Sequence, residues 1–192
     1  MDLVAALATC FEHTGTVFAG IREDQWHDPT PCADWDVRAL ATHMLGVVEN
    51  MDRTARGQER IDDVNSVDLG ADPAARFRTV AASTLAAWEV ADLDAPLDFG
   101  GGRMVPARFA VMVNLLDTST HAWDLARATG QDEMLPAGVA EAALASAHEV
   151  VRDEIRGTRG FDPAIVLSSS SASPTDQLVA FLGRQPSAST YA

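Results

Sequence analysis

Apolar side chains recur at three- and four-residue steps over stretches of about 20 residues, and this period admits little besides a bundle of helices. Residues 2–22 carry Leu3, Ala6, Leu7, Cys10, Phe11, Thr14, Val17, Phe18 and Ile21 on that spacing. The pattern breaks at Asp28-Pro29 and Pro31, where Trp26 and Trp35 are available to anchor an ordered loop. Asp36 predicts the N-cap of a second helix over about residues 37–56, before Gly57. Asp72-Pro73 reads as N-cap and first residue of a third, running through Phe77, Val80, Leu85 and Trp88. Residues 94–105, with Gly100-Gly101-Gly102 at their centre, suit a turn or short hairpin. Pro106 opens a fourth helix to about Thr129, closed by Gly130. Pro136 opens a fifth through Val139, Ala143, Ala147, Val151 and Ile155 to Gly157. Beyond it lie an extended piece at Ile165-Val166-Leu167, a serine run from Ser168 to Ser171, and a short helix from Ser173-Pro174 to Gly183. The expected fold is all-α: an up-down four-helix bundle over 1–157, with a short C-terminal extension, 158–192, in the same single domain. That extension should pack on the bundle, because Phe161, Ile165, Val166, Leu178 and Leu182 need covering.

Charge narrows the function classes. The chain has 28 Asp+Glu against 14 Lys+Arg, a formal charge of −14, and every basic residue is Arg. Such a chain has no electrostatic footprint for a phosphate backbone, so no nucleic acid is expected. Charges interrupt the apolar runs well before the roughly 18–20 residues of a membrane span, so no membrane is expected either. The start, Met1-Asp2 with no basic residue before Arg22, is not that of a secretory signal. Two cysteines, Cys10 and Cys32, do not make a disulfide scaffold. The expected location is cytoplasmic.

Chemistry-bearing residues concentrate on the fourth helix. At 100° per residue, Asn114, Asp117, His121 and Asp124 fall within an arc of about 80°. One reading is a solvent-facing polar stripe. Ala110 and Ala128, which extend the same arc, suit a face packed around a pocket instead. Asp117 and His121 stand four apart, so one helical turn stacks them within reach of one ion. That is half a metal site, and the remaining ligand must come from another helix. Among five histidines, His43 sits mid-helix on the apolar arc with Leu40, Met44 and Val47 and should point inward. A lone inward histidine is also a common core residue. His13 and His148 read as surface positions, and His27 lies in the Pro-rich loop.

These residues carry a family resemblance. The segment Thr30-Pro31-Cys32 through Trp35, Val37 and Leu40 to His43 resembles the TPC-x-x-W-x-V-x-x-L-x-x-H pattern of the mycothiol-dependent maleylpyruvate isomerase N-terminal domain family, within the DinB-like superfamily. The stretch Asp117-x-x-x-His121-x-Trp123-Asp124-Leu125-Ala126, ending Ala128-Thr129-Gly130, resembles its second motif, and residues 173–178 and 182–186 resemble its tail. The resemblance implies a four-helix bundle holding one divalent metal, zinc first, with nickel and iron as alternatives. The implied ligands are His43, Asp117 and His121. Two histidines and a carboxylate leave an open position, as a catalytic zinc site requires. The sequence departs from the pattern at Asp34, where a glycine is common, and at Thr118-Ser119-Thr120, where relatives are mostly aliphatic. The family's isomerases also carry a further C-terminal domain, for which no room is expected here.

The leading expectation is a metal-dependent isomerase or S-transferase acting on a small-molecule substrate, with mycothiol as cosubstrate. A free thiol is mostly protonated at neutral pH, and a divalent metal converts it to thiolate. Asp117 would lower the net charge of the site, while Asn114 and Asp124 would orient its ligands or the substrate. Cys10 and Cys32 are read as packed residues. The alternatives are a thiol-independent Lewis-acid hydrolase, isomerase or cyclase, and a non-catalytic metal-binding protein. The polar run 118–120 leans toward a specialised substrate, and a homodimer stays open.

Overall fold

A computed structural model describes residues 2–157, 161–167 and 172–186. The serine run 168–171 lies outside the described residues. Six α-helices and one two-stranded hairpin follow in the order α1 (Leu3–Ala19), α2 (Val37–Ala55), α3 (Pro73–Val90), β1 (Pro96–Asp98), β2 (Met104–Pro106), α4 (Ala107–Ala128), α5 (Ala137–Val150) and α6 (Pro174–Phe181). The all-α expectation holds, and the strands are minor. Helix starts follow local chemistry. The Asp36 carboxylate accepts from Ala39 N at 2.8 Å, that of Asp72 accepts from Ala75 N at 2.9 Å, and the Ser173 hydroxyl accepts from Asp176 N at 3.1 Å. The hairpin pairs Leu97 with Val105 and Asp98 with Met104. Its turn needs glycine, because Gly100, Gly101 and Gly102 take φ of 115°, 64° and 78°.

The long helices close on each other through their apolar faces. Helices α1 and α2 each pack against both α3 and α4, α5 packs on α4, and α6 on α5. Phe77 of α3 stacks on Phe18 at 4.6 Å and meets the edge of Phe11 at 6.1 Å, joining α3 to α1. Leu40, Met44 and Leu45 of α2 and Leu115 and Leu125 of α4 are fully buried between them. Burying each such side chain removes roughly 1.5–3 kcal/mol worth of apolar surface from water. Among the described residues no helix is long and apolar enough to cross a membrane.

Three expectations need correction. Helix α5 ends at Val150 rather than near Gly157, and a 3-10 turn, Asp153–Ile155, follows. Val151 takes extended backbone, φ −92° and ψ 103°, yet stays buried. The apolar spacing therefore continued through a bend, at a pair of β-branched residues that lose rotamer freedom in a helix. Val166 is exposed to 92%. The chain around it is tied by its backbone, through Ile165 N to Ala180 O at 2.8 Å, while Leu178 and Leu182 supply the buried contacts. His13 is half-buried, not at the surface, and burial lowers its pKa.

Gly46 fixes how α2 meets the segment after it. A Cβ there would collide with the backbone carbonyl of Val64, in the 3-10 turn Val64–Ser66. Helix and turn therefore touch backbone to backbone. Gly46→Ala should destabilise the protein by about 1–3 kcal/mol through this overpacking, in spite of alanine's better helix propensity. Denaturant unfolding of the two proteins measures it; equal or raised stability of the variant would contradict the close approach.

Candidate metal centre

The site is built where the N-terminal half of α2 faces the C-terminal half of α4. His43 stands two turns into α2, and Asp117, His121 and Asp124 lie on successive turns of α4. Nε2 of His43 is 3.5 Å from Asp117 Oδ1, and Nε2 of His121 is 3.7 Å from the same oxygen. The two rings meet edge to face at 5.3 Å between centroids. One ligand-capable atom from each of His43, Asp117 and His121 lies within 4.8 Å of the others. Of the other histidines, His27 is exposed and bonds Asp36 at 3.1 Å, and His148 meets the Phe181 ring at a tilt, 4.3 Å between centroids. Neither they nor His13 join this cluster.

Each imidazole is held from behind. His43 Nδ1 meets Asn65 Oδ1 at 2.9 Å, and His121 Nδ1 meets Asp124 Oδ2 at 2.9 Å. Both partners are acceptors, so the proton of each neutral ring belongs on Nδ1 and the lone pair on Nε2. Two imidazole lone pairs and a carboxylate oxygen then converge with no donor between them. Such an arrangement calls for a cation, a proton or a metal ion, and this is the observation by which the residues fit a divalent metal. Trp35, from the loop before α2, lies 4.5 Å from the His43 ring and covers one side of it.

The titration of the cluster has the same origin. Burial disfavours a charged His43, but the hydrogen bond and charge of Asp117, with Asn65, carry its pKa above the ordinary imidazole value. Burial raises the Asp117 carboxyl, and His121, His43 and Arg184 more than reverse this, leaving it below the usual carboxylate range.

Asp124 has no solvent exposure at all, and its charge is met from the tail of the chain. Arg184, just beyond α6, forks onto it, Nε to Oδ1 and Nη2 to Oδ2, both at 2.8 Å. Burial works against the Asp124 carboxylate, but His121 and Arg184 hold its pKa far below the usual range. Cys32 Sγ completes this layer, 3.3 Å from Asp124 Oδ2 and 3.7 Å from His121 Nδ1. Burial first, then the charge of Asp124, push the Cys32 thiol up to about 12, so it stays protonated at neutral pH. Cys32, His121 and Asp124 are themselves close enough to form a ligand group. A metal ion there would meet the guanidinium already paired with both Asp124 oxygens, whereas the group on the Asp117 side of His121 carries no such cation.

Sequence reasoning did not single out Arg184 or Asn65, and it left Cys32 as a packing residue. The TPC motif and the tail motif were the available signals. Asn114 is fully buried; its Nδ2 donates to Thr118 Oγ1 at 3.4 Å, and no hydrogen bond joins it to His43, Asp117 or His121. The run Thr118-Ser119-Thr120 is buried as well, with the Ser119 and Thr120 hydroxyls donating to Leu116 O at 3.2 and 2.6 Å. All three are turned into the bundle, so this run does not itself form an exposed substrate surface. A groove of about 700 Å³ lies elsewhere, lined by Thr54, Arg60, Asp98 and Gly100. Thr54 is 11 residues beyond His43 on α2, roughly 16 Å along the helix.

Arg184→Leu should cost about 3–5 kcal/mol of stability, because it leaves the buried Asp124 charge without its counter-ion. Denaturant unfolding checks this, and a loss below about 1 kcal/mol would contradict the assigned pairing.

Comparison with known proteins agrees with this architecture. The family model described as mycothiol maleylpyruvate isomerase N-terminal domain matches residues 7–126, which include Cys32, His43, Asn114, Asp117, His121 and Asp124 but not Arg184. Two uncharacterized proteins of Mycobacterium tuberculosis, from strains CDC 1551 and H37Rv, are each 30% identical over 188 residues, covering 96% of this chain and 98% of each relative. No solved structure matches the chain. With a helical bundle in place and most of its length matched, the chain belongs to the mycothiol maleylpyruvate isomerase N-terminal domain family of the DinB-like superfamily.

Proposed function

We propose that the protein is a metal-dependent enzyme of the mycothiol-linked isomerase or S-transferase type, with His43, Asp117 and His121 holding one divalent cation, zinc in the first place. The observation that carries this reading is the convergence of two Nε2 lone pairs and Asp117 Oδ1, with both Nδ1 atoms engaged by acceptors. A divalent cation at this point supplies positive charge that favours the ionised form of a thiol and polarises a carbonyl oxygen. Two neutral imidazoles and one carboxylate leave that charge only partly compensated.

The chain's own residues set the conditions for that chemistry. Asn65 and Asp124 fix the tautomer and rotation of the two rings, so neither must reorient when a ligand arrives. Arg184 cancels the charge of Asp124, which would otherwise add a second negative charge beside His121. Trp35 keeps water from one face of His43. Cys32 donates to Asp124 and burial holds it as a thiol, which favours a cosubstrate as the source of nucleophilic sulfur. The cosubstrate matching the family description is mycothiol, and the electrophile is a small molecule.

Titration of zinc into metal-stripped protein should reach one ion per chain. His43→Ala and His121→Ala should each weaken retention by more than the roughly 100-fold that loss of an outer-sphere partner costs. The metal displaces a proton whose pKa on His43 is raised, so affinity should fall as pH drops through a range above that of an ordinary histidine. Elemental analysis and competition with a chelator read both effects; zinc held equally well by the two variants would overturn the ligand set. Adding mycothiol to the cobalt-substituted protein should bring an intense near-ultraviolet sulfur-to-metal band. Turnover of a substrate in thiol-free buffer, with no such band, would favour a Lewis-acid reaction without thiol.

A further inference from the structure

Two buried acceptors on α4 lack any hydrogen-bond donor: Asn114 Oδ1 and Asp117 Oδ2. Their side chains stand three residues apart on one helix, neighbours at roughly 5–6 Å between Cβ atoms. Asn114 is fully enclosed, so neither bulk solvent nor a substrate reaches its oxygen. Thr118 Oγ1 accepts from Asn114 Nδ2 and does not donate to its oxygen, while Ser119 and Thr120 on the same helix spend their hydrogens on Leu116 O. Cys10, from α1, is itself fully buried within the field of Asp117. Buried polar atoms in folded proteins almost always find partners, and a site with two acceptors and no donor suits a molecule that donates twice.

We infer that Asn114 is a positioning residue for Asp117, joined to it by one buried water that donates to Asn114 Oδ1 and to Asp117 Oδ2. The inference rests on the reading of Asp117 as a metal ligand. Through this bridge the rear oxygen of the carboxylate is held toward the core, and Oδ1 is left presented to the two Nε2 atoms. The carboxylate then has its own partner from behind, as His43 has Asn65 and His121 has Asp124. Asn114, on this account, belongs to the site without touching ion or substrate.

The test uses Asn114→Leu, close in volume but with no polar atom. Its zinc affinity should fall about 10–100-fold, while the melting temperature of the metal-stripped variant stays level or rises. A residue that only fills space would leave zinc affinity unchanged, and that result overturns the inference. In an Asp117→Ala background, Asn114→Leu should weaken zinc no further; an undiminished second loss would contradict coupling through Asp117. Wild-type protein that takes up no zinc overturns the function reading itself, and is thereby distinguished from failure of the bridge. Should the leucine variant not fold, a high-resolution crystal structure of the wild type decides. Water density within hydrogen-bond distance of both oxygens supports the bridge; its absence, or a direct Asn114–Asp117 contact, overturns it.

Discussion

The site depends on where two protons sit. Each imidazole of the pair donates its Nδ1 hydrogen to an acceptor, His43 to Asn65 and His121 to Asp124, and this turns both Nε2 lone pairs toward Asp117. Either ring in the other tautomer would place a hydrogen in the shared space. The rest of the bundle reads as a means of fixing those two acceptors. Asn65 is carried by the turn that Gly46 lets approach α2, backbone against backbone. Asp124 sits on the same helix as His121, one turn on, where no solvent reaches it. The caps at Asp36 and Asp72 and the apolar faces of α1 to α4 hold the two helices that present the rings.

Asp124 is the electrostatic centre of this arrangement. Burying a carboxylate is costly unless it is paired and hydrogen-bonded, and here it has a bidentate guanidinium, an imidazole and a thiol. The counter-ion comes from Arg184, 60 residues along the chain. The segment bearing it is secured by Arg184 N to Val179 O at 2.8 Å and by Arg127 Nη1 to Gln185 O at 2.8 Å. The residues after α6 are therefore tied to the behaviour of His121. Burial first, and then the charge of Asp124, keep Cys32 protonated and donating to that carboxylate, close as it is to two potential ligands.

Much of the fold was legible in the sequence because its signals are local. Asp36, Asp72-Pro73 and Ser173-Pro174 mark helix starts within a residue, and the three glycines at 100–102 mark the hairpin turn. The stacking of Asp117 on His121 follows from helical spacing, and the inward aim of His43 from its apolar neighbours. What the sequence did not disclose depends on distant contacts. Asn65 and Arg184 sit in unremarkable local contexts, and only the packed chain sets them beside His43 and Asp124. The end of α5 was misplaced because Val151 keeps its burial after the backbone leaves the helix. The polar run 118–120 leans toward a specialised substrate in the sequence, yet all three residues are buried and Ser119 and Thr120 bond their own helix. His13 was assigned outward by its flanking residues, although the fold half-covers it.

The central claim is that the cation position lies between His43, Asp117 and His121, and not on the Cys32 side of His121. X-ray absorption at the zinc edge, on protein loaded with one equivalent in thiol-free buffer, tests it most directly. The account predicts a shell of nitrogen and oxygen at about 2.0–2.1 Å, with the scattering pattern of two imidazoles and no sulfur. A sulfur neighbour at about 2.3 Å would put the ion on Cys32 and contradict it.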